Sequence, residues 1–388
     1  MNHPSGRVMS RPALPIDSVL PEINVGLRRH SCLVLHAPTG AGKTTRVPPA
    51  IYDAHLPGPA KVIVLEPRRL AARAAARRIA MERGVEVGSE VGYQVRFDRR
   101  AGPRTRILVV TPGILLRLLQ DDPFLEDTGA VVFDEFHERG LDSDLALGMV
   151  RLVQQTVRPE LRLVVMSATL EVQAVAHYLG DCPVVASEGR SYPVEIRYQP
   201  RGPRQPWPAA AAEAVERVLH DTAGDVLVFL PGVLEIRQTA RHLESLAHTH
   251  DLAVVPLYGD LPAEQQDVAL LPQARRRIVL ATNVAETSVT VEGITAVVDT
   301  GLARMPMFDQ AVGLDRLQLV PIARDSAEQR AGRAGRTQPG LCVRLWSEAN
   351  HRARPERTEP EIHRVDLTGA VLQLLRMGET DLSQFAWL

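Results

Sequence analysis

The sequence predicts an α/β protein of two tandem domains, each a mostly parallel sheet flanked by helices. Three observations carry this. At 388 residues the chain exceeds what one core usually fills. Short, fully apolar runs such as Val62–Leu65 and Val131–Phe133 read as strands buried on both faces, which a parallel sheet covered by helices requires. These runs alternate with helical patterns, and after a Pro-rich stretch the alternation resumes.

In the first half the strands are expected at Ser31–His36, Lys61–Glu66, Ile107–Thr111, Ala130–Glu135 and Leu161–Ala168. Helices are expected at Thr44–Asp53, Leu70–Arg83, Ile114–Gln120 and Asp142–Val157. Pro200, Pro203, Pro206 and Pro208 make the next stretch the best linker candidate, with Val194–Tyr198 open to belonging already to the second unit. Beyond it, strands are expected at Asp225–Leu230, Ala253–Leu257, Arg277–Ala281, Ile294–Asp299 and Gly340–Trp346. Helices are expected at Ala209–His220, Leu234–Ala247, Ala263–Leu270 and Ser326–Arg333. Leu302–Leu319 reads as two strand-like pieces, and Leu367–Arg376 as a helix. The resulting division is a loose N-terminus over 1–15, domains over 16–190 and 191–350, and the start of a truncated accessory region over 351–388.

Composition excludes several classes. A hydrophobic share of 45% with 23% charged residues is that of a soluble globular protein. A net charge of −1 gives no global pull on nucleic acid, so a polyanion site has to come from local clustering. Cys32, Cys182 and Cys342 lie far apart without metal-ligand spacing, which argues against zinc or a disulfide framework and suits the cytoplasm. No apolar run is long enough to span a bilayer, so no membrane partner is expected.

The strongest chemical signal is APTGAGKTT, Ala37 to Thr45, between an apolar strand and a helix. Gly40 and Gly42 let backbone N–H groups turn toward an anion, and the helix start adds positive potential. Lys43 can reach β- and γ-phosphates, and the Thr44 hydroxyl can ligate Mg²⁺. Only two lysines occur among 45 basic residues, and one stands where a compact ammonium fits better than a planar guanidinium. The alternative is an ordinary Gly-rich turn. Downstream, an apolar strand ends in Asp134 and Glu135, followed by His137. Next to a phosphate loop, Asp134 reads as a Mg²⁺ ligand and Glu135 as the base that accepts a proton from water. In isolation the pair would be a solvated acidic turn. In QRAGRAGR, Arg333 and Arg336 are three apart and could share one face of a helix start. They read equally as donors to a γ-phosphate, with Gln329 holding water, or as a solvated basic or nucleic-acid patch. Arginine-rich stretches at Arg68–Arg83 and Arg275–Arg277 read as solvated surface, with electrostatic grip on a strand as the alternative.

Taken in order, APTGAGKTT, EPRRLAARAAARR, TPGILLRLL, DEFHERGLDSDLALG, MSATL, FLPGVLEI, LYGDL, ATNVAETSVTVEGI and QRAGRAGR resemble superfamily 2 helicases of the DEAH/RHA class. The DEFH form and the DSDLALG continuation point to the bacterial HrpB type. The resemblance implies two RecA-like P-loop domains and an ATP-dependent helicase acting on a single strand, expected to be RNA. The alternative activity is a nucleic-acid-stimulated ATPase that remodels RNA–protein complexes without unwinding. By position, Thr39, Gly40, Ala41, Gly42, Lys43, Thr44 and Thr45 would hold ATP, with Thr290 opposite and Arg78 on the adenine. Thr44 and Asp134 would hold Mg²⁺, Glu135 would be the base, Gln329 would orient water, and Arg333 and Arg336 would be arginine fingers. Ser167, Thr169 and His137 would couple hydrolysis to domain movement. Arg68, Thr111, Thr282 and Asn283 would line the strand's path, and a hairpin within Leu302–Leu319 would act as a wedge. Leu270 stands where some relatives place an adenine-stacking aromatic, so weak base selectivity is expected. The resemblance further implies a cytoplasmic monomer.

Overall fold

The computed structural model describes residues 13–56, 58, 60–168, 172–189, 192–287 and 289–388. Among them, the first sheet has eight strands: β1 Cys32–His36, β2 Lys61–Leu65, β3 Val91–Val95, β4 Asp98–Arg100, β5 Ile107–Val110, β6 Thr128–Phe133, β7 Arg162–Ser167 and β8 Val184–Ala186. Their order is β4-β3-β5-β2-β6-β7-β1-β8, parallel except for the β3–β4 pair. The second sheet takes β9 Val194–Tyr198, β10 Asp225–Phe229, β11 Ala253–Leu257, β12 Arg277–Ala281 and β13 Ile294–Asp299. A separate antiparallel hairpin follows, β14 Leu302–Asp309 and β15 Leu314–Pro321, and then β16 Gly340–Arg344. The second sheet is parallel throughout, in the order β11-β12-β10-β13-β16-β9.

The apolar runs behave as their composition demands. In β2, Val62 and Val64 enter one core while Ile63 and Leu65 enter the core on the opposite face. Period-two alternation thus feeds two helical layers from one strand. The same split appears in β10, where Val226 and Val228 face one cluster and Leu227 and Phe229 the other.

Element boundaries read from sequence hold closely; β9, β11, β12, β13 and the helix Ala263–Leu270 match at both ends. Several elements were not anticipated. They include the amphipathic helix Leu20–Arg29, the β3–β4 pair, the helix Val172–Tyr178, β8 and the helix Glu348–Ala353. Two expectations need correction. The Pro-rich stretch is not the interdomain linker: β9 precedes it and pairs with β16, so the prolines join β9 to the helix Trp207–Asp221 within the second unit. The crossing between sheets lies instead between Ala186 and Val194. Arg333 and Arg336 do not sit on a helix, because the helix Arg324–Ala331 stops just before Gly332. Of the segment expected to be loose, residues 1–12 lie outside the described part, whereas Pro15 opens a 3-10 helix and Leu14 packs against the first core.

Beyond β16 the chain returns to the first unit. The helix Thr368–Arg376 places Ala370 and Leu374 in the first unit's core, and Phe385 joins them. Tyr178 donates its hydroxyl to the Ala386 carbonyl at 2.7 Å.

Arg277 is the most demanding residue of the second core. It is fully buried at the start of β12. Its Nε donates to Asp225 at 2.7 Å, and Nη1 and Nη2 cap the carbonyls of Ala269 at 3.1 Å and Glu292 at 2.5 Å. Truncation strands the Asp225 carboxylate and opens a cavity. Arg277→Ala is expected to cost about 3–5 kcal/mol of unfolding free energy, read from urea titrations; a loss within experimental error would show that the pair is solvated.

Candidate functional site: a phosphate loop facing arginines across the interdomain cleft

The phosphate-loop segment leaves β1 and enters the helix Lys43–Asp53. Gly40 and Gly42 adopt φ of 89° and 94°, a left-handed backbone that L side chains rarely tolerate. At Gly42 a Cβ would also lie 2.6 Å from Leu14 Cδ1. The loop is anchored at both flanks: Ala37 N donates to Ser167 O at 3.0 Å, and Ile16 N to Ala41 O at 3.1 Å.

The helix start carries Lys43 into the protein, where it is 3% exposed. Its ammonium donates to Glu135 Oε1 at 2.6 Å and lies 3.8 Å from Asp134 Oδ1. The Thr44 hydroxyl donates to Asp134 Oδ2. Both acids follow β6, and Glu135 is held at φ 49°, an unusual conformation for a residue with a side chain. Glu66, at the end of β2, is a third buried acid beside them.

One ammonium among three buried carboxylates leaves the cluster short of positive charge. Burial would raise the Glu135 carboxyl, but Lys43, His137 and the Lys43 hydrogen bond outweigh it and hold it at about 2. Burial pushes Asp134 up despite the opposing pull of Lys43. Burial, reinforced by Asp134 and Glu135, pushes Glu66 well above the usual carboxylate range. Burial opposes the charge on Lys43, yet Glu135 and Asp134 more than compensate and raise it.

This donor set suits a hard divalent cation. The Thr44 hydroxyl and Asp134 carboxylate are both oxygen donors, and the excess negative charge would be relieved by a dication. Among the described residues no group of three or more His, Cys, Asp or Glu forms a metal cage. Mg²⁺ characteristically takes one or two protein oxygens and completes its shell with phosphates and water.

His137 connects this cluster to β7. Its Nδ1 accepts from Ala168 N at 3.3 Å, which places the proton on Nε2, 3.4 Å from Glu135 Oε2. Ser167, buried, ends β7 next to the phosphate loop. Thr169 lies outside the described residues.

From the second unit, Arg333 and Arg336 come within electrostatic reach of Glu135. Among the described residues, no carboxylate pairs with either of them. Arg333 is buried and donates to backbone carbonyls, from Nε to Glu286 O at 2.8 Å and from Nη1 to Val289 O at 2.6 Å. The Arg336 guanidinium donates to the Thr290 hydroxyl. Burial draws Arg333 well below its ordinary value and Arg336 down to about 10, and the Glu135 carboxylate offsets part of this at both. Both guanidiniums therefore sense the acid beside the phosphate loop across the cleft.

A cavity of about 730 Å³ adjoins this site. Arg68, Thr111, Asn283, His137 and Gln329 line it, with residues of both units and of the hairpin. Thr282 is not among its lining residues. The Gln329 side-chain oxygen is buried there without a hydrogen-bond partner. Sequence reasoning missed Arg96, Arg117, Arg304 and Arg364, which also line the cavity. Arg117 lay inside a quoted motif and Arg304 inside the strand-like Leu302–Leu319 stretch; Arg96 comes from a turn and Arg364 from the segment past β16, where no local signal exists.

Two further expectations look different in place. Arg78 is partly exposed and donates to Glu82 at 2.7 Å, one helical turn on. Leu270 is half-buried and packs against the core cluster that contains Leu70 and Ala71 of the first unit. The arginine-rich helix Arg69–Arg83 is ion-paired rather than free: Arg69 meets Asp260 at 2.8 Å, Arg73 meets Asp98 at 2.9 Å and Arg77 meets Asp267 at 2.7 Å. Arg275 pairs with Asp251 at 2.6 Å, and Arg276 donates to backbone carbonyls. These stretches are therefore occupied by protein partners, not held open for a strand.

Comparison with known proteins agrees with this layout. Residues 18–177 match the DEAD/DEAH box helicase family, and residues 210–338 match the helicase conserved C-terminal domain. The chain is 44% identical over 378 residues to the ATP-dependent RNA helicase HrpB of Escherichia coli (strain K12), covering 97% of this chain and 46% of that protein. It is 37% identical over 380 residues to the ATP-dependent RNA helicase HrpA of Borreliella burgdorferi, again covering 97% and 46%. The crystal structure of Escherichia coli DEAH/RHA helicase HrpB superposes with a TM-score of 0.91 over 97% of this chain and 48% of that one. The chain thus spans about half the length of these relatives.

Charge balance around Lys43 makes a direct prediction. Lys43→Ala leaves Glu135 and Asp134 buried without their cation, at a cost of about 3 kcal/mol near neutral pH. Glu135 is depressed by Lys43, so its contribution is present above its ordinary 4.5 and is lost as pH falls toward about 2. The gap between wild type and variant should therefore narrow on acidification. Urea midpoints at neutral and acidic pH measure it, and a pH-independent gap would contradict this electrostatic account.

Proposed function

Because this chain belongs to the DEAD/DEAH box helicase family, of the HrpB type, we propose that it is the ATP-driven motor core of an RNA helicase. ATP is bound between residues 16–190 and 191–350, and a single RNA strand runs across both. The observation that carries the reading is the set of contacts Lys43–Glu135 and Thr44–Asp134 at the phosphate loop of one unit, with Arg333 and Arg336 of the other unit within reach of the Glu135 charge.

The backbone of Thr39 to Thr45 wraps the triphosphate, and Lys43 leaves its carboxylates to contact the β- and γ-phosphates. Mg²⁺ held by Thr44 and Asp134 would neutralise phosphate charge. Glu135, freed from Lys43, accepts a proton from the attacking water that Gln329 orients. Arg333 and Arg336 stabilise charge on the transferred phosphoryl group. Because these arginines belong to the second unit, their engagement draws the units together, and hydrolysis releases them. Ser167, Thr169 and His137 couple hydrolysis to the movement of the two units. Arg68, Thr111, Thr282 and Asn283 hold the strand by phosphate and sugar. The protein works as a cytoplasmic monomer.

Two measurements test this. Arg336→Ala should lower ATP turnover about 10³-fold with nucleotide affinity nearly unchanged, as for removal of an arginine finger; an effect confined to affinity would remove its transition-state role. Single-stranded RNA should stimulate wild-type hydrolysis more strongly than matched DNA. Equal stimulation would undo the RNA assignment, and stimulation without separation of a tailed duplex would favour a remodelling ATPase.

A further inference from the structure

We propose that Glu138 is a positioning residue that withholds Arg68 from the strand: its carboxylate occupies the place of a strand phosphate and ties Arg68 to the second unit until RNA displaces it. The inference deepens the strand-binding reading above and rests on it.

Glu138 follows Phe136 and His137 in a short 3-10 turn and lines the 730 Å³ cavity. Arg68 Nε donates to both of its oxygens, at 3.1 Å and 3.2 Å. The Thr287 hydroxyl, from the second unit, donates to Glu138 Oε1. Arg68 Nη1 reaches Asn283 O, also of the second unit, at 2.7 Å. One guanidinium and one carboxylate of the first unit are thus both fastened to the loop that follows β12. The pair is only about one-fifth exposed, with side-chain values of 20% and 19%, so it is not a fully solvated surface contact.

A carboxylate in the wall of a cleft built for a polyanion is costly unless it has a task. To a guanidinium, a carboxylate and a phosphate present the same pair of oxygens. A strand phosphate can reach the Nε edge of Arg68 only by displacing Glu138. That exchange also frees Thr287 from Glu138, so strand entry and the interdomain contact compete for one group. The alternative is that Glu138 merely orients Arg68 for the strand. The two readings give opposite signs on removal of the charge.

The test is Glu138→Gln in the whole chain, which keeps an oxygen for Thr287 and removes the charge. Affinity for a labelled oligo-U RNA, by fluorescence anisotropy, should rise about threefold, the scale of releasing one partly exposed ion pair. The slope of log Kd against log salt should steepen by about 0.7, one added phosphate contact on a single strand. The gain should vanish in an Arg68→Ala background. Unchanged or weaker binding overturns the proposal, as does a gain that persists without Arg68. Thr287→Val gives an independent variant that leaves both charges in place; a gain of the same sign but smaller size is expected, and none would overturn the bridge. Failure of the wild-type chain to bind RNA sinks the strand reading and this inference together, whereas normal wild-type binding with unaltered variants sinks only the inference.

Discussion

The buried ammonium of Lys43 is the contact around which the first unit is organised. It lies among Asp134, Glu135 and Glu66, at the ends of two neighbouring parallel strands, β6 and β2. Without it, buried carboxylates would either repel or take up protons. A guanidinium would satisfy the same charge but not the same space, because its planar fork cannot swing between acids and a phosphate as a compact ammonium can. The left-handed glycines, the strained Glu135 backbone and the Thr44 hydrogen bond all serve to bring this cation and these anions to one point. The resting cluster is therefore poised for exchange: its cation has alternative anions in the proposed reaction, and its anions have an alternative cation.

The second unit is arranged on the opposite principle. Its arginines are fixed before any ligand arrives. Arg333 is clamped by carbonyls of the loop after β12, and Arg330 lies fully buried beneath it. Arg330 bonds Glu286 at 2.7 Å and Asp299 at 2.9 Å and stacks over Phe229 at 4.8 Å. Glu286 also accepts from Ser326 at 2.6 Å. This network joins the ends of β12 and β13 to the helix Arg324–Ala331, so a shift in any one is felt by the others. Fixed donors need little reorganisation when charge develops, which is where such groups contribute most. Glu286 and Ser326 also line the large cavity, so the same rigid piece faces both the arginine site and the proposed strand path.

The two units meet through exchangeable polar contacts as well as a small apolar patch. Arg69–Asp260, Arg77–Asp267 and the Arg68–Glu138–Thr287 cluster span the cleft, while Leu70 and Ala71 reach the second core. Partly exposed ion pairs are individually weak. Such an interface can open without dismantling either core, as a cycle of closure and release demands. Acids of the facing unit pair with Arg69 and Arg77 of the helix Arg69–Arg83, and acids of its own unit pair with Arg73, Arg78 and Arg83.

By itself the sequence determined the two parallel sheets, because runs such as Val62–Leu65 have no polar face to show to water. It also determined the phosphate loop and the acids after β6, since their chemistry is local: glycines that turn, a lysine that reaches and acids that end a strand. Tertiary structure alone decided the rest. It placed Arg333 and Arg336 beyond a helix that Gly332 helps to end, and it made the Pro-rich stretch internal because β9 pairs with β16. It tied Arg69 and Arg77 to acids about 190 residues away and brought Arg96, Arg304 and Arg364 to one cavity. Local pattern reports what a segment buries and how it turns. Which charges meet across a cleft depends on pairings between segments far apart in the chain, and those are set only when the two cores close on each other.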